Sequence, residues 1–357
     1  MVYSWKIKGG IILLGTLLPL FVVYWLYATT YQPNKEDNGF SRRFAPIRVV
    51  PKDTLRANKA FAQLCGVTDN RIYLQYLNNP TKLLETDWEF SRKWSHSFAL
   101  PLEDKILKAV EYQVDSPYVN IFAGNGPDIF QGNLNSPTLT GRYHYPGMPY
   151  AHSYARGNNH FILYAFYGEK NKIGEEIINW DPIQNRETGN TKTINDVFDG
   201  GVSSDGVMNY DSTTGSTVYI PFYKNGITVI DSAMNYEKRI KTIDTVSYAK
   251  TSGGEYKENG ETRFTNNTPQ FNVNWIAETD QGRVYINCLL RADNEPRADF
   301  KDYSDMDVYD IKTSAYLHSF KIPRLDGDKF YSFKIHKDRL IALYPDGVVT
   351  YLIKKHP

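Results

Sequence analysis

Val218-Tyr-Ile-Pro-Phe-Tyr223, Lys224-Asn225-Gly226, Ile227-Thr-Val-Ile230 sets two β-rich runs on either side of an Asn-Gly pair. Both turn residues tolerate positive φ, so such a pair between strand-like runs is a strong short-range hairpin signal. The same order returns 121 residues later: Leu340-Ile-Ala-Leu-Tyr344, Pro345-Asp346-Gly347, Val348-Val-Thr-Tyr-Leu-Ile353. Two copies of one form (apolar strand, Tyr, any residue, Asn or Asp, Gly, branched residue, strand) point to a repeated unit.

Working outward, comparable strand cores begin near Ile72, Val119, Phe161, Val218, Val284 and Leu340, at gaps of 47, 42, 57, 66 and 56 residues. Several are followed by a second candidate strand, as Asp128-Ile-Phe130 follows Val119–Ala123 and Met306–Ile311 follows Val284–Leu290. About 40–50 residues per four-stranded sheet is the spacing of propeller blades. The two gaps after Val218 and Val284 hold evident loops, Thr251–Pro269 and Arg291–Ser304. The 27 Tyr, 18 Phe and 6 Trp suit sheet packing. The expected fold class is all-β, a six-bladed β-propeller over residues 44–357. Its last blade takes an outer strand from the N-terminal side, Pro46-Ile-Arg-Val-Val50. Ala57–Cys65 is read as a short helix. A β-sandwich is the rival fold, but a domain of about 310 residues is long for one sandwich, and six similar units divide poorly into two.

The hairpins at Tyr223–Ile227 and Tyr344–Val348 resemble blades of the irregular six-bladed propellers of the TolB-like type. So does Met306-Asp-Val-Tyr-Asp310 with its continuation to Phe320. Val114–Phe122, with Pro127–Gly132, is similar to propeller-like proteins of Bacteroidetes-type bacteria. This resemblance, over roughly residues 70–355, implies the fold and an extracytoplasmic placement. Because that superfamily holds binders, scaffolds and hydrolases, it carries no catalytic residue across.

The N-terminus has a different character. Gly9–Asn34 is uncharged, bracketed by Lys8 and Lys35, and Ile11–Ala28 reads IILLGTLLPLFVVYWLYA. A bilayer core of about 30 Å needs about 20 apolar residues in a helix. The expected organisation is a signal anchor or transmembrane helix over 1–31, a polar tether over 32–43, then the propeller. A cleaved signal peptide is the alternative. The Tyr24, Trp25 and Tyr27 group resembles an interfacial aromatic belt, and the apolar core is longer than the usual signal-peptide core. The expected location is the bacterial inner membrane, single-pass, with the C-terminal domain outside.

The formal charge of +1, or −1 once Lys6 and Lys8 are set aside, gives no footprint for nucleic acid. Cys65 and Cys288 are either one disulfide or two buried thiols, and sequence separation leaves both open.

Three histidines, His144, His152 and His160, recur every eight residues, and three imidazoles are the ligand set of a zinc or copper site. Pro146, Gly147, Pro149 and Gly157 interrupt any continuous strand through them, so the plainer reading is an inter-blade loop. Tyr143, Tyr145, Tyr150, Tyr154 and Arg156 share that segment. Exposed Tyr and Arg are residue types that anchor interfaces, which makes them the candidate binding residues. The run Asp293, Glu295, Asp299, Asp302, Asp305, Asp307 and Asp310 lacks EF-hand spacing and carries interleaved Arg291, Arg297 and Lys301, so it reads as a solvated loop. No Gly-x-Ser-x-Gly elbow is present. Ser203-Ser-Asp205 lies in a Gly-rich turn, and Gly124-Asn-Gly126 does not open a helix after a strand. Trp88, Trp94, Trp180 and Trp275 are core aromatics or the wall of a sugar groove.

The function expected is a membrane-tethered, non-enzymatic scaffold that binds a protein or peptide, with no cofactor and no nucleic acid. Its contact regions would be Tyr143–His160 and Arg291–Asp305. The alternatives are a metal-dependent hydrolase or lyase using the three histidines, and a glycan-binding module.

Overall fold

Six four-stranded antiparallel sheets carry the chain from Ile47 to Lys355. The structure is a computed structural model. It describes residues 15–25, 38–123, 126–147, 149–157, 160–169, 172–191, 201–250, 253–258, 261–266 and 268–355. The chain divides into two units, residues 1–38 and 39–357.

In the first unit, residues 15–25 form helix α1. At 1.5 Å per residue these eleven described residues cover about 16 Å, roughly half of a bilayer core. Among the described residues no helix is long and apolar enough to cross a membrane. This corrects the expected transmembrane anchor and the single-pass inner-membrane location built on it. The rest of the apolar run, residues 9–14 and 26–34, lies outside the described residues.

In the second unit β1 (Ile47–Arg56) comes first but belongs to the last blade. Blade 1 is β2 (Phe61–Val67), β3 (Ile72–Tyr76), β4 (Lys82–Thr86) and β5 (Lys93–Ser97). After the short helix α2 (Asp104–Leu107), blade 2 is β6 (Val110–Asp115), β7 (Tyr118–Ala123), β8 (Asp128–Asn133) and β9 (Ser136–His144). Blade 3 is β10 (Tyr150–Ala155), β11 (Phe161–Glu169), β12 (Lys172–Asp181) and β13 (Arg186–Thr191). Blade 4 is β14 (Gly206–Asp211), β15 (Ser216–Pro221), β16 (Ile227–Ile230) and β17 (Tyr236–Ile240). The following loop forms a separate two-stranded hairpin, β18 (Gly253–Glu258) and β19 (Glu261–Asn266). Blade 5 is β20 (Asn274–Asp280), β21 (Arg283–Cys288), β22 (Tyr303–Asp310) and β23 (Tyr316–Pro323), with α3 (Arg297–Asp302) between its second and third strands. Blade 6 is β24 (Ser332–His336), β25 (Arg339–Tyr344) and β26 (Gly347–Lys355), closed on its outside by β1.

All six expected strand cores are second strands of blades. A second strand is covered by a neighbouring blade on each face, so it reads as a continuous apolar run instead of alternating. Its side chains still divide by parity. Ile341 and Leu343 pack with Ile72 and Leu74 of blade 1, while Leu340, Ala342 and Tyr344 pack with Met306, Val308 and Phe320 of blade 5. Equivalent clusters fill the remaining seams between blades 1 and 2, 2 and 3, 3 and 4, and 4 and 5. The core is thus six wedges arranged in a ring.

Closure uses the expected N-terminal strand. β1 runs antiparallel to β26 from Ile47 opposite Lys355 to Arg56 opposite Gly347, with an irregularity between Pro51 and Thr54. There the Asp53 amide donates to Thr350 Oγ1 at 3.2 Å. Ala57–Cys65 is not a helix. Its second half is β2, because Phe61, Leu64 and Cys65 find apolar partners across a sheet. Cys65 and Cys288 are both free and buried, in blades 1 and 5.

Candidate functional site

The first strands β2, β6, β10, β14, β20 and β24 surround a polar channel. Their earlier residues (Leu64, Glu111, His152, Met208, Ala277, Phe333) line one cavity of about 270 Å³. Their later residues (Val67, Asp115, Tyr154, Tyr210, Thr279, His336) line another of about 310 Å³. All six strands therefore enter at one mouth and leave at the other. Gln113 of β6 ties itself to β10 by accepting from the Ala155 amide at 2.6 Å and donating to the Ala155 carbonyl at 3.2 Å.

Between the cavities stands an ion pair, Lys334 Nζ to Glu278 Oε1 at 2.7 Å. Burial raises the Glu278 carboxyl despite the ammonium beside it. Burial also works to lower Lys334, yet Glu278 outweighs it and the lysine is shifted up. The two shifts pull the proton in opposite directions, and the short contact decides for the charged pair.

At the entry mouth His152 Nε2 lies 3.4 Å from Asp205 Oδ1, its ring stacked on Tyr164 at 5.9 Å. Burial would lower this imidazole, but the Asp205 contact and the charge of Glu111 raise it overall. Glu111 faces the same space. It is open to the channel and among the described residues makes no hydrogen bond or ion pair; the protein crowded around it raises its carboxyl against the pull of His152.

A second charged cluster holds the N-terminal strap. Arg42 is 3% exposed. Its guanidinium donates to Asp307 at 2.9 and 3.2 Å, to Asp305 at 3.1 Å, to Glu295 at 3.2 Å and to the Leu290 carbonyl at 3.0 Å. Lys321 adds an ion pair to Glu295 at 3.0 Å. Burial pushes the Asp305 carboxyl up to about 8 against the pull of Arg42, with Glu295 and Asp307 adding to the rise. Lys321 is shared with the half-exposed Asp299, also at 3.0 Å, so Arg42 is the main counter-charge of the buried carboxyls. Phe40 packs beside it on Val273, Cys288 and Leu290. Residues 39–43, expected in the polar tether, are docked on blade 5, while 32–37 lie outside the described residues. The acidic run is also not simply a solvated loop, because Glu295, Asp305 and Asp307 are the buried partners of this arginine.

The sequence-derived candidates separate. His144 is on the outer strand β9 and pairs with Asp128 at 3.2 Å. His152 is on the inner strand β10, and His160 sits in the turn before β11. Among the described residues no three His, Cys, Asp or Glu side chains converge to hold a metal. Tyr145 and Tyr150 are 4% and 1% exposed. They belong to the seam of blades 2 and 3, with their hydroxyls on Glu187 and the Asp128 carbonyl. Tyr143 packs on Phe161 and donates to Gln131 at 3.1 Å. Tyr154 lines the exit cavity, where burial pushes its hydroxyl up to about 12. Arg156 bridges to blade 4, donating to the Ser232 carbonyl at 2.7 Å and lying over Tyr210. Trp88 and Trp180 are core. Trp94 is partly exposed under the Arg71 guanidinium, and Trp275 is partly exposed beside Phe222.

The channel residues themselves escaped the sequence reading. Their signal is alternation in the strand before each apolar run, as in Val110-Glu-Tyr-Gln-Val-Asp115 and Ser332-Phe-Lys-Ile-His336. Asp205 sat in a turn whose Gly content explained itself.

These features define the chain as a six-bladed β-propeller closed by its own N-terminal strand. No family model matches it, and no curated protein matches it in sequence. Among solved structures it is similar to a member of the DUF4221 family from Bacteroides vulgatus, at 11% identity and a TM-score of 0.54, covering 86% of this chain and 98% of the other. The expected likeness to Bacteroidetes-type propeller proteins is met at the level of fold. Looser overlaps link it to BamB from Moraxella catarrhalis (TM-score 0.42, 11% identity, 87% and 99% covered) and to the computationally designed Ika8 protein (0.44, 11%, 85% and 100%).

Proposed function

We propose that this protein is a non-enzymatic binding scaffold whose channel entry accepts a basic side chain of a protein or peptide partner. The observation that carries this reading is Glu111, a carboxylate with no hydrogen bond or ion pair among the described residues, which feels the His152 imidazole only through space, beside the His152–Asp205 pair. Glu111 is open to the channel, and a carboxylate crowded by protein yet reachable from the mouth favours an approaching cation. An incoming lysine or arginine would supply that cation, and the rigid ring would pre-organise the pocket. Tyr145 and Tyr150 contribute to this scaffold as seam packing, and Tyr154 as part of the channel wall.

Calorimetric titration of the full chain with short oligolysine and oligoglutamate peptides tests it. The reading expects binding of oligolysine only, weakened at least tenfold by Glu111→Gln and by added salt. Equal binding of both peptides, or an unchanged affinity in Glu111→Gln, would overturn it.

A further inference from the structure

Between blades 2 and 3, adjoining the exit mouth through Gln113, Asp115, Ala155 and Gly157 and away from Glu111, lies a further cavity of about 310 Å³. Its polar lining is made largely of side-chain amides: Gln113, Asn120 and Gln131, joined by Thr140, Asp115 and Tyr118. The amides are fixed by the fold. Gln113 is held by both backbone groups of Ala155, and Gln131 donates to Asn120 Oδ1 at 3.0 Å while accepting from the Tyr143 hydroxyl at 3.1 Å. Each amide nitrogen has two protons and each amide oxygen two lone pairs, so every one of these groups keeps unused capacity.

Asn120 is the sharpest case. It is only 5% exposed, and its Nδ2 has no acceptor among the described residues. This donor is open to the cavity, where water or a ligand oxygen can accept from it. No lysine or arginine lines the cavity, so phosphate and other anions have no counter-charge there. Tyr118, 55% exposed, adds an aromatic face beside the amides.

We propose that this cavity binds a neutral saccharide. Fixed amides would donate to and accept from vicinal hydroxyls, Asp115 would accept from a hydroxyl pair, and the Tyr118 ring would cover an apolar sugar face. The volume is at the small end of ligand pockets and suits one ring or two, not a long chain. This site is independent of the channel entry, so either can fail alone.

Saturation-transfer NMR on the full chain would use a panel of neutral hexoses and disaccharides, glucuronic acid as the charged analogue, and triglycine as a peptide-amide probe. A neutral sugar is expected to bind. Tyr118→Ala should weaken it at least tenfold without touching the core. So should Gly157→Asn, because Gly157 lines the cavity at φ +60, which Asn tolerates, with open space around a built Cβ. Tyr236→Ala, on a distant outer strand, should leave it unchanged. Binding of no sugar, preference for glucuronate or triglycine, or undiminished binding in both cavity variants would each overturn the assignment.

Discussion

Replacing Arg42 with Met removes five hydrogen bonds from a buried site, leaves Asp307 without its cation, and leaves Glu295 with Lys321, which it shares with Asp299. Breaking a buried ion pair from one side typically costs about 3–5 kcal/mol, because the orphaned charge stays behind. At about 1.4 kcal/mol per tenfold, the open population should rise by roughly two to three and a half powers of ten. Urea unfolding followed by tryptophan fluorescence reads this directly. With a slope near 3 kcal/mol per molar, the midpoint should fall by roughly 1–1.7 M at pH 7.5. The pH dependence supplies an internal check. In the variant the Asp305 carboxyl, already raised in the parent, loses the opposing pull of Arg42 and lies further above its unfolded value. Its contribution to stability is therefore present below the unfolded pKa and lost as pH rises through the folded one. The gap between variant and parent should narrow toward pH 5. Arg43→Met, at an exposed neighbour, should change stability by less than about 0.5 kcal/mol. A shift in Arg42→Met no larger than that of Arg43→Met, or a gap that widens as pH falls, would refute the reasoning.

His152 should titrate above 6.5 by NMR, and Asp205→Asn should bring its midpoint down. Being raised, it stabilises the fold fully below the unfolded value and progressively less as pH rises through the folded one, so a midpoint below 6.5 contradicts the geometry. Gly66→Ala would place a Cβ 2.3 Å from the Val114 carbonyl oxygen between the inner strands of blades 1 and 2. A thermal melt should show a loss of about 1–3 kcal/mol, and an unchanged melt would mean the strands are farther apart. Val49→Asp buries a carboxylate among the side chains of blade 6 and should cost about 2–3 kcal/mol. Exposed Lys52→Asp on the same strand should cost little, and equal effects would argue against ring closure by β1.

The blades were legible because burial on both faces leaves an unbroken apolar run, and β7, β11, β15, β21 and β25 all carry one. The closing strand was legible as well, since Val49 and Val50 mark it. Inner strands were harder. Glu111, Gln113 and Lys334 alternate with apolar residues, a pattern shared by any half-exposed strand, and only the ring turns their outer faces into one channel. The Tyr143–His160 segment misled for the opposite reason. Its Pro and Gly residues suggest a surface loop, yet Tyr145 and Tyr150 supply the large side chains that fill the seam between blades 2 and 3. Arg42 and its carboxylates lie more than 250 residues apart in sequence, beyond the reach of local pattern.

The most direct measurement places a photo-crosslinking benzophenone side chain at Ser153, on the channel entry, or at Tyr236, on the outside of blade 4. Each variant is irradiated with labelled oligolysine. The account predicts crosslinks from position 153 that are lost with Glu111→Gln, and none from position 236. Equal capture at both positions, or capture at 236 alone, would contradict it.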